Sequence, residues 1–404
     1  MILRRLHSTC VKTTRWFSHR SKIILVSIVN VILLMILTYI LNNQPLFTGE
    51  NLFQYSWVEY FKGFLGINQS ELKKDAVFIN VGYDKKLIDK NDEFGLALGN
   101  TPITDRQKLV DILRMLNKTG TYGYIFLDVV FEKGYEDVEV DSLLLDEIKH
   151  TKRIVVATHP DVELLDSSLN HVAAWNNYDA TIVETNFKRY EYSALGKPSM
   201  PLFAYGNLTG KSIKRKGLFY FCDGRLCYNS LFTRFPIEGN MEYGEDDVKQ
   251  YYNLGSDILN NYTDADLAVL CKAKYVFIGD MIEDLHDTYS GLRNGPSITY
   301  YAFKELMDGK HLVNYLLSLF LAIIYFCISV SMFNKQSWFD RIPWMRKVSY
   351  KSLRFFMSFI GFSFVLTISA ILLGILFNTY ISILIPSLYF TIQKTLIDYK
   401  RIKI

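Results

Sequence analysis

Long uncharged runs divide this chain before any motif is considered. Residues 23–41 and 312–333 carry no Asp, Glu, Lys or Arg and are almost wholly apolar. A further uncharged stretch, 355–393, is broken in two by Asn378-Thr379. A bilayer core of about 30 Å needs roughly 20 helical residues, because no water is there to satisfy an open backbone. The pattern therefore predicts four transmembrane helices, at 23–42, 312–333, 355–377 and 380–393. The last is the shortest and contains Pro386. The first run could instead be a signal peptide. It is longer than a usual signal core, and Asn42-Asn43-Gln44-Pro45 offers no small-residue cleavage pattern, so an uncleaved anchor is expected.

Between the first two runs, at 43–311, the period of the pattern changes. Short β-branched and aromatic runs at 76–81, 122–131, 153–157 and 274–280 read as strands. They alternate with helical spacing, as in Leu109, Ile112, Leu113 and Leu116, where Thr104 is a candidate N-cap. Further helices are expected at 140–150 and at 296–307, the latter with Pro296 at its start and Gly309 beyond its end. Alternating strands and helices predict an α/β domain, its sheet mostly parallel or mixed, with helices on both faces. Residues 158–270 are richer in Tyr, Phe, Asn and Gly and read as an irregular β insertion.

Charge then orients the chain. Residues 1–22 carry six basic residues and no acid, 334–354 carry six against Asp340, and the tail 394–404 carries four against Asp398. The intervening 43–311 has a net charge of −10, although the whole chain is at +4. Basic flanks stay on the cytoplasmic side. The expected arrangement is therefore an extracytoplasmic domain with both termini and the 334–354 loop inside.

Cys222-Asp-Gly-Arg-Leu-Cys227 reads as two short strands around an Asp-Gly turn, a geometry that could bring the two sulfurs together. An oxidising compartment permits a disulfide there; bridged and unbridged forms both stay open.

The main chemical signal is acids at strand ends. Asp84, Asp128 and Asp280 each follow or close an apolar run, where an open α/β sheet binds its ligands. After Asp280 come Glu283, Asp284, His286, Asp287 and Thr288, a density of oxygen and imidazole groups suited to a divalent metal or a polar ligand. The same acids could equally cap the helix at Pro296 and bond backbone amides. Arg106 could pair with one of these carboxylates, with an anionic ligand, or in an ordinary salt bridge. A lone His argues against a zinc hydrolase. The chain has no P-loop, nucleophile elbow, His-Glu-X-X-His or kinase motifs. No enzymatic activity, cofactor or nucleic-acid partner is therefore expected. The stretches read as cytoplasmic are too short to fold into a catalytic domain.

These residues carry a resemblance. One membrane helix, an outer α/β domain and three closely spaced membrane helices resemble the CHASE2-domain sensors of bacteria. Asp75 to Asp84 is similar to that family's first strand, and Gly123 to Phe131, with Asp128, to its G-x-x-x-x-D-x-x-F strand. Lys274 to Leu312, with Ile278-Gly279-Asp280, Asp287-Thr288 and Gly295-Pro296, is similar to its closing segment. The resemblance implies an extracytoplasmic sensory domain in the bacterial cytoplasmic membrane. The chain departs from the family in carrying no fused output domain and in having Thr101-Pro102-Ile103 where a Trp-Pro stretch is usual. A sensor acting through a separate output protein is the first expectation, with a homo-oligomer left open. A membrane scaffold that binds another protein and an outer-face metal-dependent enzyme are the alternatives.

Overall fold

The structure is a computed structural model. It describes residues 2–43, 49–66, 75–91, 97–159, 162–176, 189–194, 196–232, 250–261, 263, 266, 269–270, 272–288, 291–334, 350–377 and 379–398. Cys271, Tyr243, most of the 334–354 loop and the end of the basic tail lie outside these residues.

The chain divides into two units, one of Met1–Asn68 with Val313–Ile404 and one of Gln69–Leu312. The first is helical: α1 (Ile2–Asn43), α2 (Gly49–Phe64), and three later helices described below. Helix α2, counted with the outer segment by sequence, thus falls in the first unit.

The second unit holds a parallel sheet. Its strands are β1 (Ala76–Asn80), β4 (Tyr124–Asp128), β5 (Ile154–Thr158), β6 (Ala173–Trp175), β7 (Tyr251–Asn253) and β8 (Tyr275–Gly279). A hairpin of β2 (Lys85–Asn91) and β3 (Ala97–Thr104) follows β1. The sheet order is β7-β1-β8-β4-β5-β6, and every neighbouring pair is parallel. The inserted region therefore supplies both edge strands. Neither edge is legible locally, because each is only three residues long.

The strands are buried on both faces, which is why they read as unbroken apolar runs. On one face Val77, Ile79, Ile125, Leu127, Val276 and Ile278 pack against α3 (Arg106–Thr119) and α4 (Asp141–His150). On the other, Phe78, Phe277 and Phe126 stand in register across β1, β8 and β4. Phe126 and Phe277 stack with centroids 4.3 Å apart, under α5 (Met200–Thr209) and α6 (Gly295–Met307). Consecutive side chains on a strand point to opposite faces, so each five-residue run feeds both cores. A second hairpin, β9 (Leu285–Thr288) with β10 (Gly291–Asn294), leads into α6.

Local chemistry corrects the expected caps. Asp105, not Thr104, caps α3, its carboxylate accepting from the amides of Gln107 and Lys108; Thr104 closes β3. Asn294, not an acid, caps α6 by accepting from the Ser297 amide. Cys222 and Cys227 are buried thiols, not a disulfide. Their hairpin puts Cys222 opposite Arg225 and Cys227 opposite Tyr220, so the two cysteines are diagonal rather than facing.

In the first unit three helices are long and apolar enough to cross a membrane: Arg20–Asn43 of α1, α7 (Tyr315–Phe333), and Ser352–Phe377 of α8 (Lys351–Phe377). The fourth expected span is not a full one. Its helix, α9 (Leu384–Asp398), has 15 residues, a rise of about 22 Å. Its Asp398 nevertheless reaches within 3.7 Å of Arg354 near the start of α8. Polar side chains join these helices: Asn30 donates to Ser329, Tyr389 and Gln393 both donate to Asn30, and Thr38 meets Tyr325. Such contacts hold helices together where the hydrophobic effect does not.

Candidate functional site

The crevice in the sheet opens where the chain reverses direction. The helices after β1 and β4 cover one face, and α6, reached after β8, covers the other. At such a switch point neighbouring loops part at the carboxyl ends of the strands. A cavity of about 410 Å³ lies there, lined from the β4 and β8 ends, the β2–β3 hairpin, Asn176 and the start of α6.

Asp128 is the last residue of β4, opposite Gly279 of β8. A Cβ on Gly279 would lie 2.7 Å from the Pro296 ring and 3.0 Å from Asp128 Cβ, so the strand end requires glycine. Asp128 Oδ1 accepts a hydrogen bond from the Asn176 amide. Asn176 Oδ1 in turn accepts from Thr299 (3.1 Å) and Tyr190 (3.3 Å). Asp128 Oδ2 is buried and has no partner among the described residues. Burial and the nearby Asp284 carboxylate push Asp128 up to about 7, against the pull of Asn176 and His286. Asp284 Oδ1 lies 2.9 Å from His286 Nε2. A strongly raised acid in a cleft marks a functional-site candidate.

The other expected residues separate. Asp280 lines the same cavity, but its carboxylate accepts from the Ile282 and Glu283 amides at 2.9 Å and from Lys85 at 2.7 Å. Burial opposes the charged form there, and those bonds outweigh it, leaving Asp280 below the usual carboxylate range. Arg106 also reaches the cavity wall, yet its guanidinium is taken by the Asp141 carboxylate and the Tyr135 carbonyl. Asp84 is outside the cavity, accepting from Lys108 Nζ (2.6 Å) and the Gly255 amide (3.1 Å). Glu283 points outward, 3.6 Å from Lys85. Asp287 and His286 fall on opposite sides of β9 by strand alternation, so Asp287 is exposed. Thr288 donates to the Gly291 carbonyl in the hairpin turn. The dense loop is thus split, and among the described residues no three His, Cys, Asp or Glu side chains form a metal-binding group.

Asn176, Tyr190, Thr299 and Lys85 were not singled out by sequence. Asn176 follows the three-residue strand β6, whose position at the sheet edge is the only signal, and that position is a tertiary fact.

Comparison with known proteins adds no family: no protein-family model, curated protein or solved structure matches this chain.

Proposed function

We propose that this chain is a membrane-anchored sensory protein whose α/β unit binds a small ligand presenting an ammonium or similar N–H donor to Asp128. The observation that carries the reading is the buried, unpartnered Oδ2 of Asp128 at the cavity. Charge selects the ligand class. Lys85 pairs with Asp280 and Arg106 with Asp141, while among the described residues the acids Asp128 and Asp284 have His286 beside them. A cation gains both the open oxygen and the local negative field. A cavity of this size suits a small molecule.

The strand-end acids and the order of elements resemble CHASE2-domain sensors, which supports an extracytoplasmic site in a bacterial cytoplasmic membrane. The basic flanks support a cytoplasmic side for residues 1–22 and 334–354. Output then passes to a separate protein. Only Leu312, Val313 and Asn314 precede α7 after the second unit's last turn at Lys310 and His311, a tether too short to absorb a displacement.

The test is a thermal-shift series on the full chain in detergent, with primary amines, their alcohol isosteres and the matching carboxylates as probes. Amines should raise the melting temperature of the wild type and not of Asp128→Leu. Stabilisation by the carboxylates alone, or an amine effect that survives Asp128→Leu, would reject the reading.

A further inference from the structure

Helix α2 is built inside out. Its buried face presents Gln54, Glu59 and Lys62 along with Tyr55 and Val58. Glu59 and Lys62 form an ion pair at 3.3 Å with both side chains nearly inaccessible. The opposite face exposes Phe53, Trp57, Tyr60 and Phe64, at spacings of three and four residues, and Phe64 is 80 % exposed. The rings at 53, 57 and 60 touch edge to face, at 6.1 and 6.0 Å. A helix against water places its residues the other way round, with the apolar stripe inward. Polar groups inward and large rings outward suit a helix whose surroundings are apolar.

Where α2 lies identifies those surroundings. A Cβ on Gly374 would sit 2.6 Å from Val58 Cγ2, so α2 presses directly on α8, about one turn from the Phe377 end. Gln54 donates to the Ile381 carbonyl at 2.8 Å and accepts from its amide, and Tyr55 meets the Tyr380 ring at 6.0 Å. The spanning helix α8 likewise turns apolar side chains outward, with Leu372 and Leu376 exposed. The end of a spanning helix is also the depth at which Trp and Tyr concentrate in membrane proteins.

From this we infer that α2 is embedded in lipid at the membrane–water boundary beside the Phe377 end of α8, with Phe53, Trp57, Tyr60 and Phe64 against the acyl chains. The helix is then part of the anchor, and the second unit begins only after it.

The test uses the full chain with Trp57 as its single tryptophan (Trp16, Trp175, Trp338 and Trp344 replaced by Phe), in phosphatidylcholine vesicles with brominated or ordinary chains. Trp57 emission should be blue-shifted and mostly lost in the brominated vesicles. Unquenched emission, whether from a water-exposed ring or one covered by another protein or a second copy, would overturn the inference. Should that variant fail to fold, a spin label on Tyr60→Cys, in a chain with its tryptophans intact and its five native cysteines replaced by Ser, answers the same question. Collisions with oxygen that exceed those with a water-soluble nickel chelate support lipid, and the reverse order overturns it.

Discussion

Asp128 and Asp284 bring their carboxylates over the same glycine. A Cβ at Gly295 would collide with Asp284 Oδ2 and come within 3.4 Å of Asp128 Oδ2. Two acids from separate elements, the end of β4 and the loop after β8, therefore share one small space, roofed by the first residue of α6. The Asp284 carboxylate there disfavours charge on Asp128.

Gly295→Ala should damage this site before it damages the fold. The added methyl collides with the Asp284 carboxylate and forces that side chain aside, an overpacking that costs about 1–3 kcal/mol. The expected outcome is a lowered melting temperature together with loss of any amine stabilisation, both read in the same thermal-shift series.

Asp128→Asn should change how stability responds to pH. With its group raised from 3.8 to about 7, the folded protein holds a proton that the unfolded chain has already lost between those values. Stability therefore falls as pH rises through that window and levels off above it. The amide keeps the shape without the charge. The variant should melt higher than wild type at pH 8 and close to it near pH 5, measured by thermal denaturation of the full chain.

His311 gives the opposite slope. Its ring is fully buried, both nitrogens are without partners among the described residues, and Tyr205 sits edge-on at 5.4 Å. Burial, with Lys211 and Arg225 nearby, lowers it from 6.5 to about 4. Between those values the unfolded chain takes up a proton that the folded ring refuses, so stability falls as pH drops. His311→Leu should flatten this loss, so that variant and wild type differ more at pH 5 than at pH 8. An unchanged acid limb in the melting curve would reject this account.

How far the sequence showed all this depended on the range of the interactions. The four inner strands and helices α3, α4 and α6 were legible because burial on both faces, or on one stripe, writes itself as local periodicity. Asp128 and Asp280 were legible because each closes such a run. The two edge strands were not, since three residues carry no period and their pairing is decided by distant partners. The loop after Asp280 looked like one ligand set, yet hairpin alternation sends Asp287 outward and leaves His286 beside Asp284. Arg106 showed as a cation near a site, while the carboxylate that holds it, Asp141, lies 35 residues away. The fourth membrane segment failed for a simpler reason: residues 379–383 are not helical, and the helix starts only at Leu384.

The central claim is that Asp128 receives a cation. Calorimetric titration of the full chain with the tightest-binding primary amine, from pH 5 to 9, tests it most directly. Binding a cation beside Asp128 favours the ionised carboxylate, so affinity should rise with pH through about 7 and proton release should accompany binding below it. Asp284, His286 and Tyr190 also face this group, so His286→Gln is the companion measurement and should keep the rise. Asp128→Asn should bind weakly with no pH dependence. An affinity that is flat with pH in the wild type, or a slope that survives Asp128→Asn, would contradict the account.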